Sequence, residues 1–556
     1  MGSLGSFTFV LHSHIPYCRR AGRWPHGEEW IHEAILDTYL PLLVALYRLA
    51  EEGVPFRLTI SLTPVLAEQL KDGTVVQHFE VFAEDKILRA EKDIERFRAR
   101  GDDRFEELAR MYHSRYRELL AAFVGTFGRD LVAAFGRLQQ EGYLELLTSA
   151  ATHGYLPLLG RDSSIHGQLA TGVRSYRRML GVEPRSVWLP ECGYRPAYWT
   201  SENEHVRPGL ETFLAELGLR LFFVETHAIR GGTPVGKAMG DAVGPYGMIA
   251  RRYVVPAQAF PEPTLRTTFR PYWVQSTEVA AIGRNERTGI QVWSAEHGYP
   301  GDFWYREFHK KDGVSGLQYW RVTGAEVGLG EKEPYSPAGA RWRVEEHSQH
   351  FARLVVDELA AYNAETGDHG ILAAVYDTEL FGHWWYEGID WMEKVLRVLA
   401  SQQAVEMVTA SQYLEAHPPV DVLALPESSW GQGGSHFTWM NADTAWMWPL
   451  VHGAERRLEA LVDAVSETDA AKPGLRQLCR ELLLLQSSDW PFLITTGQAA
   501  EYAVERFQTH LDRFVLLASL LEAGEFERAA LRADEIYELD KIFPDIDPED
   551  FRRREP

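Results

Sequence analysis

Six side chains able to move protons, attack carbon or ligate a metal follow directly on apolar runs. They are His12 and His14 in His12-Ser13-His14-Ile15-Pro16-Tyr17, His153 in Thr152-His153-Gly154-Tyr155, Glu191 in Trp188-Leu189-Pro190-Glu191, and Asp377 and His383 in Asp377-Thr378-Glu379-Leu380-Phe381-Gly382-His383. An HxH pair on a strand places both imidazoles on one face, because side chains alternate with period two. That arrangement suits a metal, a substrate hydroxyl or a packed structural histidine. Glu191 alone could cap a helix or pair with a cation, and Asp377-Thr378 alone could open a helix. Carboxylates paired among aromatics are typical of glycoside chemistry, where one attacks the anomeric carbon and the other shuttles a proton. In a retaining enzyme the two sit about 5–5.5 Å apart. The acid is kept protonated by burial and by its charged neighbour.

Positioning these groups requires strands that end at one face. Short β-rich runs occur at Phe7–Leu11, Arg57–Leu62, Leu144–Ser149, Ser186–Leu189, Arg220–Val224, Ile290–Trp293 and Ile371–Tyr376, with a weaker one at Val405–Val408. Several are continuously apolar, as in parallel strands covered on both faces. Helical patterns such as Thr38–Glu52 and His166–Leu180 lie between them. Strand–helix alternation of this kind predicts a closed or nearly closed α/β barrel. Residues just past the carboxyl ends of its strands would then meet at a shared pocket.

The barrel is expected to comprise residues 1–78 and 143–413. Residues 79–142 are charged and rich in helix formers, and read as a helical insertion. From about Tyr413 strand signals vanish, and residues 414–556 read as a C-terminal helical domain with helices at Glu455–Val465, Gly474–Leu485 and Gly497–Ala523. The Gly/Pro-rich stretch Gly231–Arg270 is long enough for a functional loop or flap.

Composition excludes some partners. The 556 residues carry 57 Lys+Arg against 79 Asp+Glu, a net charge of −22. A dedicated nucleic-acid binder needs a basic footprint, and a lipid-surface protein a polybasic patch. Three widely spaced cysteines, Cys18, Cys192 and Cys479, give neither a disulfide framework nor a cysteine-rich zinc module. No apolar run reaches the roughly 18–20 residues that span a bilayer, and the N-terminus lacks the pattern of a signal peptide. A soluble cytoplasmic monomer is therefore expected. Aromatics are abundant, and of 17 Trp only Trp24 and Trp30 precede residue 188. Aromatic faces suit sugar rings, although a large core must account for some of them.

The motifs HSHIPY (12–17), ATHGY (151–155), WLPECGY (188–194), YDTELFGHWWYEG (376–388) and SSDWPF (487–492) occur in this order. With them the chain resembles glycoside hydrolase family 57, and within it the 1,4-α-glucan branching enzymes. The resemblance covers nearly the whole chain. It implies a distorted (β/α)7 barrel with a helical insertion, and a C-terminal helical domain closing over the cleft. It implies a retaining double displacement on an α-glucan, with Glu191 as nucleophile, Asp377 as acid/base, and no metal or organic cofactor. His12 and His153 match substrate- and site-organising histidines, His14 is a further substrate-binding candidate, and Arg284 matches an arginine near the nucleophile. Trp30, Trp293, Trp430 and Trp439 match aromatics along the glucan path, while Asp489 and Gln498 match residues completing the site in branching members. Such members carry a tyrosine on a mobile loop that excludes water. Here Tyr246, in Gly244-Pro245-Tyr246-Gly247, is the candidate, with an ordinary turn tyrosine as the alternative. Within the same chemistry an α-amylase or a 4-α-glucanotransferase is the alternative. Outside it stand a metal-dependent hydrolase or deacetylase using His12, His14, Asp377 and His383, and a non-catalytic glucan-binding protein.

Overall fold

The computed structural model describes residues 3–200, 205–232, 234, 243–244, 247–248, 261–275, 277–293, 298–465 and 468–554. Seven parallel strands form its centre: β1 (Gly5–Ser13), β2 (Leu58–Leu62), β3 (Leu144–Ser149), β4 (Val187–Trp188), β5 (Leu221–Val224), β6 (Ala280–Gly283) and β7 (Gly370–Asp377). Neighbours pair in the order β7-β1-β2-β3-β4 and β5-β6. A parallel bridge between Ser186 and Leu221 joins β4 to β5. The ring closes where the Asn285 N–H donates to Ala373 O at 3.0 Å, linking β6 to β7. This is a distorted (β/α)7 barrel.

Alternation along each strand divides its side chains. Val10, Leu147, Trp188, Phe223, Ile282 and Val375 fill the interior, together with Cys192 and Trp430. The intervening residues, such as Phe9, Leu11, Ile60, Leu146, Leu372 and Tyr376, pack outward against helices. Apolar residues on both faces explain the continuous apolar runs.

The sixth strand differs from expectation. Ile290–Trp293 belongs to a helix, Glu286–Trp293, and the strand is the small-residue run Ala280–Gly283. The physical reason is a cap: Asn285 Oδ1 accepts the Thr288 N–H at 2.9 Å, which starts a helix. Arg284 therefore stands at the carboxyl end of β6 rather than before a strand. A short strand also survives beyond Tyr413, where Val422–Leu423 pairs in parallel with Trp273–Val274.

Helices Gly73–Arg100, Asp103–Ala121 and Leu131–Gln140 lie between β2 and β3. Helices Met447–Val465, Lys472–Leu485, Asp489–Thr496, Ala500–Glu522 and Phe526–Leu539 make up the C-terminal region. That region reaches the carboxyl end of the barrel strands directly. The Ser488 N–H donates to His153 O at 3.1 Å, and Gly154 and Ser487 form an antiparallel bridge. Arg19 donates to Glu538 O and Leu539 O, each at 2.9 Å, a cation placed on a helix C-terminus where the dipole favours it. Among the described residues no single helix is long and apolar enough to cross a membrane.

Candidate active site

The inward-facing register of each strand continues past its end, and that is what assembles the site. On β1 the register delivers His12, which is the Cα partner of Asp377 at the end of β7. On β5 it delivers Glu225 and on β6 Arg284, both buried, with Arg284 donating to Glu225 Oε1 at 3.0 Å. The Nε and the second terminal nitrogen of Arg284 are buried without a hydrogen-bond partner.

Glu191 leaves β4 with φ 60° and ψ 25°, and Cys192 follows at φ 49°. Left-handed backbone at residues other than glycine costs roughly 1–2 kcal/mol each, so surrounding contacts must hold it. The Trp430 N–H donates to Glu191 O at 3.0 Å, and Trp430 Nε1–H donates to Glu191 Oε2 at 2.5 Å. Tyr194 and Ser428 exchange backbone hydrogen bonds at 2.9 and 3.1 Å just beyond. Gly193 is required here, because a Cβ would lie 2.8 Å from the Tyr155 ring and 2.9 Å from Pro190 O. Strain of this kind concentrates at functional positions.

The histidines form a stack beside Glu191. His12 lies over the Trp188 ring, with centroids 4.5 Å apart, and shares a hydrogen bond with His153 at 3.1 Å. His14 stacks on His153 at 3.9 Å. His153 Nδ1 is 2.8 Å from Ser488 Oγ and 4.0 Å from Glu191 Oε1. Burial, then the neighbouring His14 and His12, hold His153 well below its usual value, so it is neutral. Burial pulls His14 down as well, but Asp489, 3.1 Å away, outweighs that and raises it above the ordinary histidine value. His14 and His153 are thus pushed in opposite directions by their surroundings.

The remaining expected residues fall in different places. Trp30 is buried edge-on to Tyr502 at 5.2 Å, bridging the N-terminal segment to the C-terminal helices. Trp293 ends its helix half-buried, 6.3 Å from Trp384. Trp439 is fully buried and stacked on Tyr155 at 4.1 Å, a packing position. Gln498 has both amide atoms buried without a hydrogen-bond partner. Tyr246 lies outside the described residues. His383 is not brought to the pocket: its Nδ1 is 3.3 Å from Asp37 and its Nε2 4.0 Å from Glu33. The metal-site reading therefore lacks one of its four donors.

Two groups escaped the reading of the sequence. Glu225 follows the apolar run of β5 as Glu191 follows that of β4, and the same rule would have found it. Glu379, two residues after Asp377, is buried and accepts the His14 N–H at 3.0 Å and the Tyr39 hydroxyl. Burial pushes it up to about 7.

Because Trp430 donates to Glu191 itself, its indole orients that carboxylate. Trp430→Phe, which keeps a ring but loses the donor, is expected to lower kcat on amylose by about 10- to 100-fold, the worth of a hydrogen bond to a charged group. KM should stay near wild type. A rise in KM with kcat unchanged would make the indole a sugar platform only.

Comparison with known proteins follows the two parts of the chain. Residues 8–426 match the family "Glycosyl hydrolase family 57", and residues 450–551 match "1,4-alpha-glucan branching enzyme, C-terminal". The chain is 46% identical over 548 residues to "1,4-alpha-glucan branching enzyme TK1436" of Thermococcus kodakarensis, covering 97% of this chain and 77% of that one. The crystal structure of that protein superposes with a TM-score of 0.90 at 44% identity, covering 100% and 97% of the two chains. The GH57-type branching enzyme of Pyrococcus horikoshii gives 0.87 at 42%, covering 100% and 98%. The α-amylase AmyC of Thermotoga maritima gives 0.80 at 28%, covering 99% and 100%. The family model matches residues 8–426 and a relative is 46% identical over 97% of this chain, so the chain belongs to glycosyl hydrolase family 57.

Proposed function

We infer that this chain is a 1,4-α-glucan branching enzyme, cleaving an α-1,4 linkage and transferring the freed chain to a C6 hydroxyl. The observation that carries the reading is the joining of two regions at one site. The barrel presents Glu191 and Asp377, and the C-terminal helices present Ser488 to His153 and Asp489 to His14. A C-terminal match to branching enzymes and two branching-enzyme structures at 42–44% identity support transfer over plain hydrolysis.

In this reading Glu191 attacks the anomeric carbon while Asp377 protonates the departing oxygen. The bond to the leaving chain breaks as the ester to Glu191 forms. Asp377, now ionised, deprotonates the acceptor C6 hydroxyl, which displaces Glu191 and restores the original configuration. Trp430 orients the nucleophile. In this reading His153, held by His12 and Ser488, orders the histidine stack beside Glu191, and the unpartnered nitrogens of Arg284 and the amide of Gln498 are the candidates for hydrogen bonds to sugar hydroxyls. The barrel of residues 1–78 and 143–413 supplies the reacting groups, and residues 414–556 close the cleft. A neutral polysaccharide makes no demand on net charge. The three cysteines are buried and share no disulfide among the described residues, which suits a reducing compartment, and glycogen synthesis is the pathway class such a product serves.

Proton NMR of amylose incubated with the enzyme tests this. New α-1,6 anomeric signals with few new reducing ends are expected. Reducing ends alone would make the enzyme an amylase, and redistributed α-1,4 lengths alone a 4-α-glucanotransferase.

A further inference from the structure

Glu191 and Trp430 are 239 residues apart in sequence, and one side chain from another strand end stands between the segments that carry them. Tyr155, two residues past His153 beyond β3, is fully buried. Its ring borders the nucleophile turn so closely that a Cβ on Gly193 would lie 2.8 Å away, and it also stacks on Trp439 at 4.1 Å. The far edge of the Trp439 ring closes on Gly431, the residue after Trp430, where a Cβ would come within 2.7 Å. A methyl group at either glycine would push the rings aside. Tyr155 and Trp439 thus set the spacing between Glu191 and Trp430 by direct packing.

The Tyr155 hydroxyl is fixed as well. It shares a 2.6 Å hydrogen bond with His436 Nδ1, while His436 Nε2 directs a proton at the Glu427 carboxylate, which can only accept. Burial holds the Tyr155 phenol well above its usual value, so it stays a hydroxyl. His436 belongs to the same loop as Trp430. Within that loop the Trp439 N–H donates to His436 O at 2.9 Å, the Ser429 N–H to Gly434 O at 3.0 Å, and the Ser429 hydroxyl to Ser435 O at 2.5 Å. These bonds fold residues 428–439 into one unit, so a tether on His436 is felt at Trp430.

We propose that Tyr155 is a positioning residue for glycosyl transfer: its ring and its hydroxyl together hold residues 428–439 where the Trp430 indole can bond Glu191 Oε2, which fixes the orientation in which the carboxylate meets the anomeric carbon. A carboxylate free to turn would spend part of its time off the line of attack, and small misplacements of a reacting group are costly. The proposal rests on Glu191 being the nucleophile.

The test compares Tyr155→Phe, Trp430→Phe, their double variant and Glu191→Gln. Tyr155→Phe keeps the ring and its stacking and loses the bond to His436. It is expected to lower kcat on amylose by about 5- to 10-fold, the worth of one neutral hydrogen bond, with KM within about twofold. In the Trp430→Phe background, which has no indole left to place, the same substitution should change kcat by less than about twofold. With tryptophan labelled at the indole nitrogen, the NMR resonance missing from Trp430→Phe identifies Trp430. In Tyr155→Phe that resonance should move toward the free-indole position. A Tyr155→Phe variant with lowered stability but unmoved kcat and an unmoved Trp430 resonance overturns the proposal, as does a loss in the double variant equal to the product of the two single losses. Should Tyr155→Phe fail to fold, His436→Ala cuts the same tether from the loop side, and an unmoved resonance there overturns it equally. Near-wild-type activity in Glu191→Gln would instead remove the nucleophile assignment, a separate failure.

Discussion

Glu191→Gln is expected to lower branching turnover by more than about 10⁴-fold, the scale seen when a nucleophile is removed from a covalent mechanism. The amide keeps the size and planar shape of the carboxylate. It can still accept the Trp430 indole hydrogen bond, and it leaves the left-handed backbone at residue 191 undisturbed. Thermal stability should therefore stay close to wild type, which separates a chemical loss from a folding loss. Glu191→Ala gives a sharper result, because it opens room on the face the carboxylate occupies. Added azide should then attack an activated α-maltosyl substrate from that face and release a β-glycosyl azide. An α-configured azide, or full activity in Glu191→Gln, would remove Glu191 from the nucleophile's role.

Asp377→Asn should cost about 10²- to 10⁴-fold on amylose, the usual worth of a positioned acid/base. Its signature differs from that of Glu191. With an activated aryl maltoside the leaving group departs without a proton, so the first half of the reaction should survive. The second half still needs a base, and the glycosyl-enzyme should accumulate as an intact-mass increase of one glycosyl unit. Rapid steady turnover of the aryl substrate, with no accumulation, would argue that another group is the base.

What the sequence made legible was mostly what apolar runs make legible. β5 is a continuous run of large apolar residues that stops at Glu225, and β1, β3 and β7 are mostly apolar runs that give way to polar residues, so strand ends and the groups beyond them were readable together. β6 was hidden because Ala280–Gly283 carries small side chains, while Thr288–Trp293 holds the β-branched and aromatic residues that usually mark strands. The Asn285 cap decided the matter locally. The π turn Ile35–Tyr39 had no signature either, since Ile35-Leu36-Asp37-Thr38-Tyr39 fits an ordinary helical pattern.

The late-loaded tryptophans were the least reliable guide. Trp188, Trp385, Trp391, Trp439 and Trp490 are all among the largest fully buried side chains. Trp430, read as a sugar platform, instead aims its N–H at Glu191. Ring type predicts burial, but which atom an indole presents depends on contacts from segments hundreds of residues apart. For the same reason the pairing of Ser488 with His153, and of Asp489 with His14, could not be read from SSDWPF alone.

The His14–Asp489 contact joins residues 475 apart, and this bears on how the protein comes into being. A chain leaving the ribosome completes its N-terminal portion first. Glu191 and Asp377 emerge well before Asp489, yet the stacked histidines lack their C-terminal partners until that residue has cleared the exit tunnel and docked. In a chain still being synthesised the histidine stack is therefore incomplete, and it reaches its final set of contacts only after residue 489 has docked.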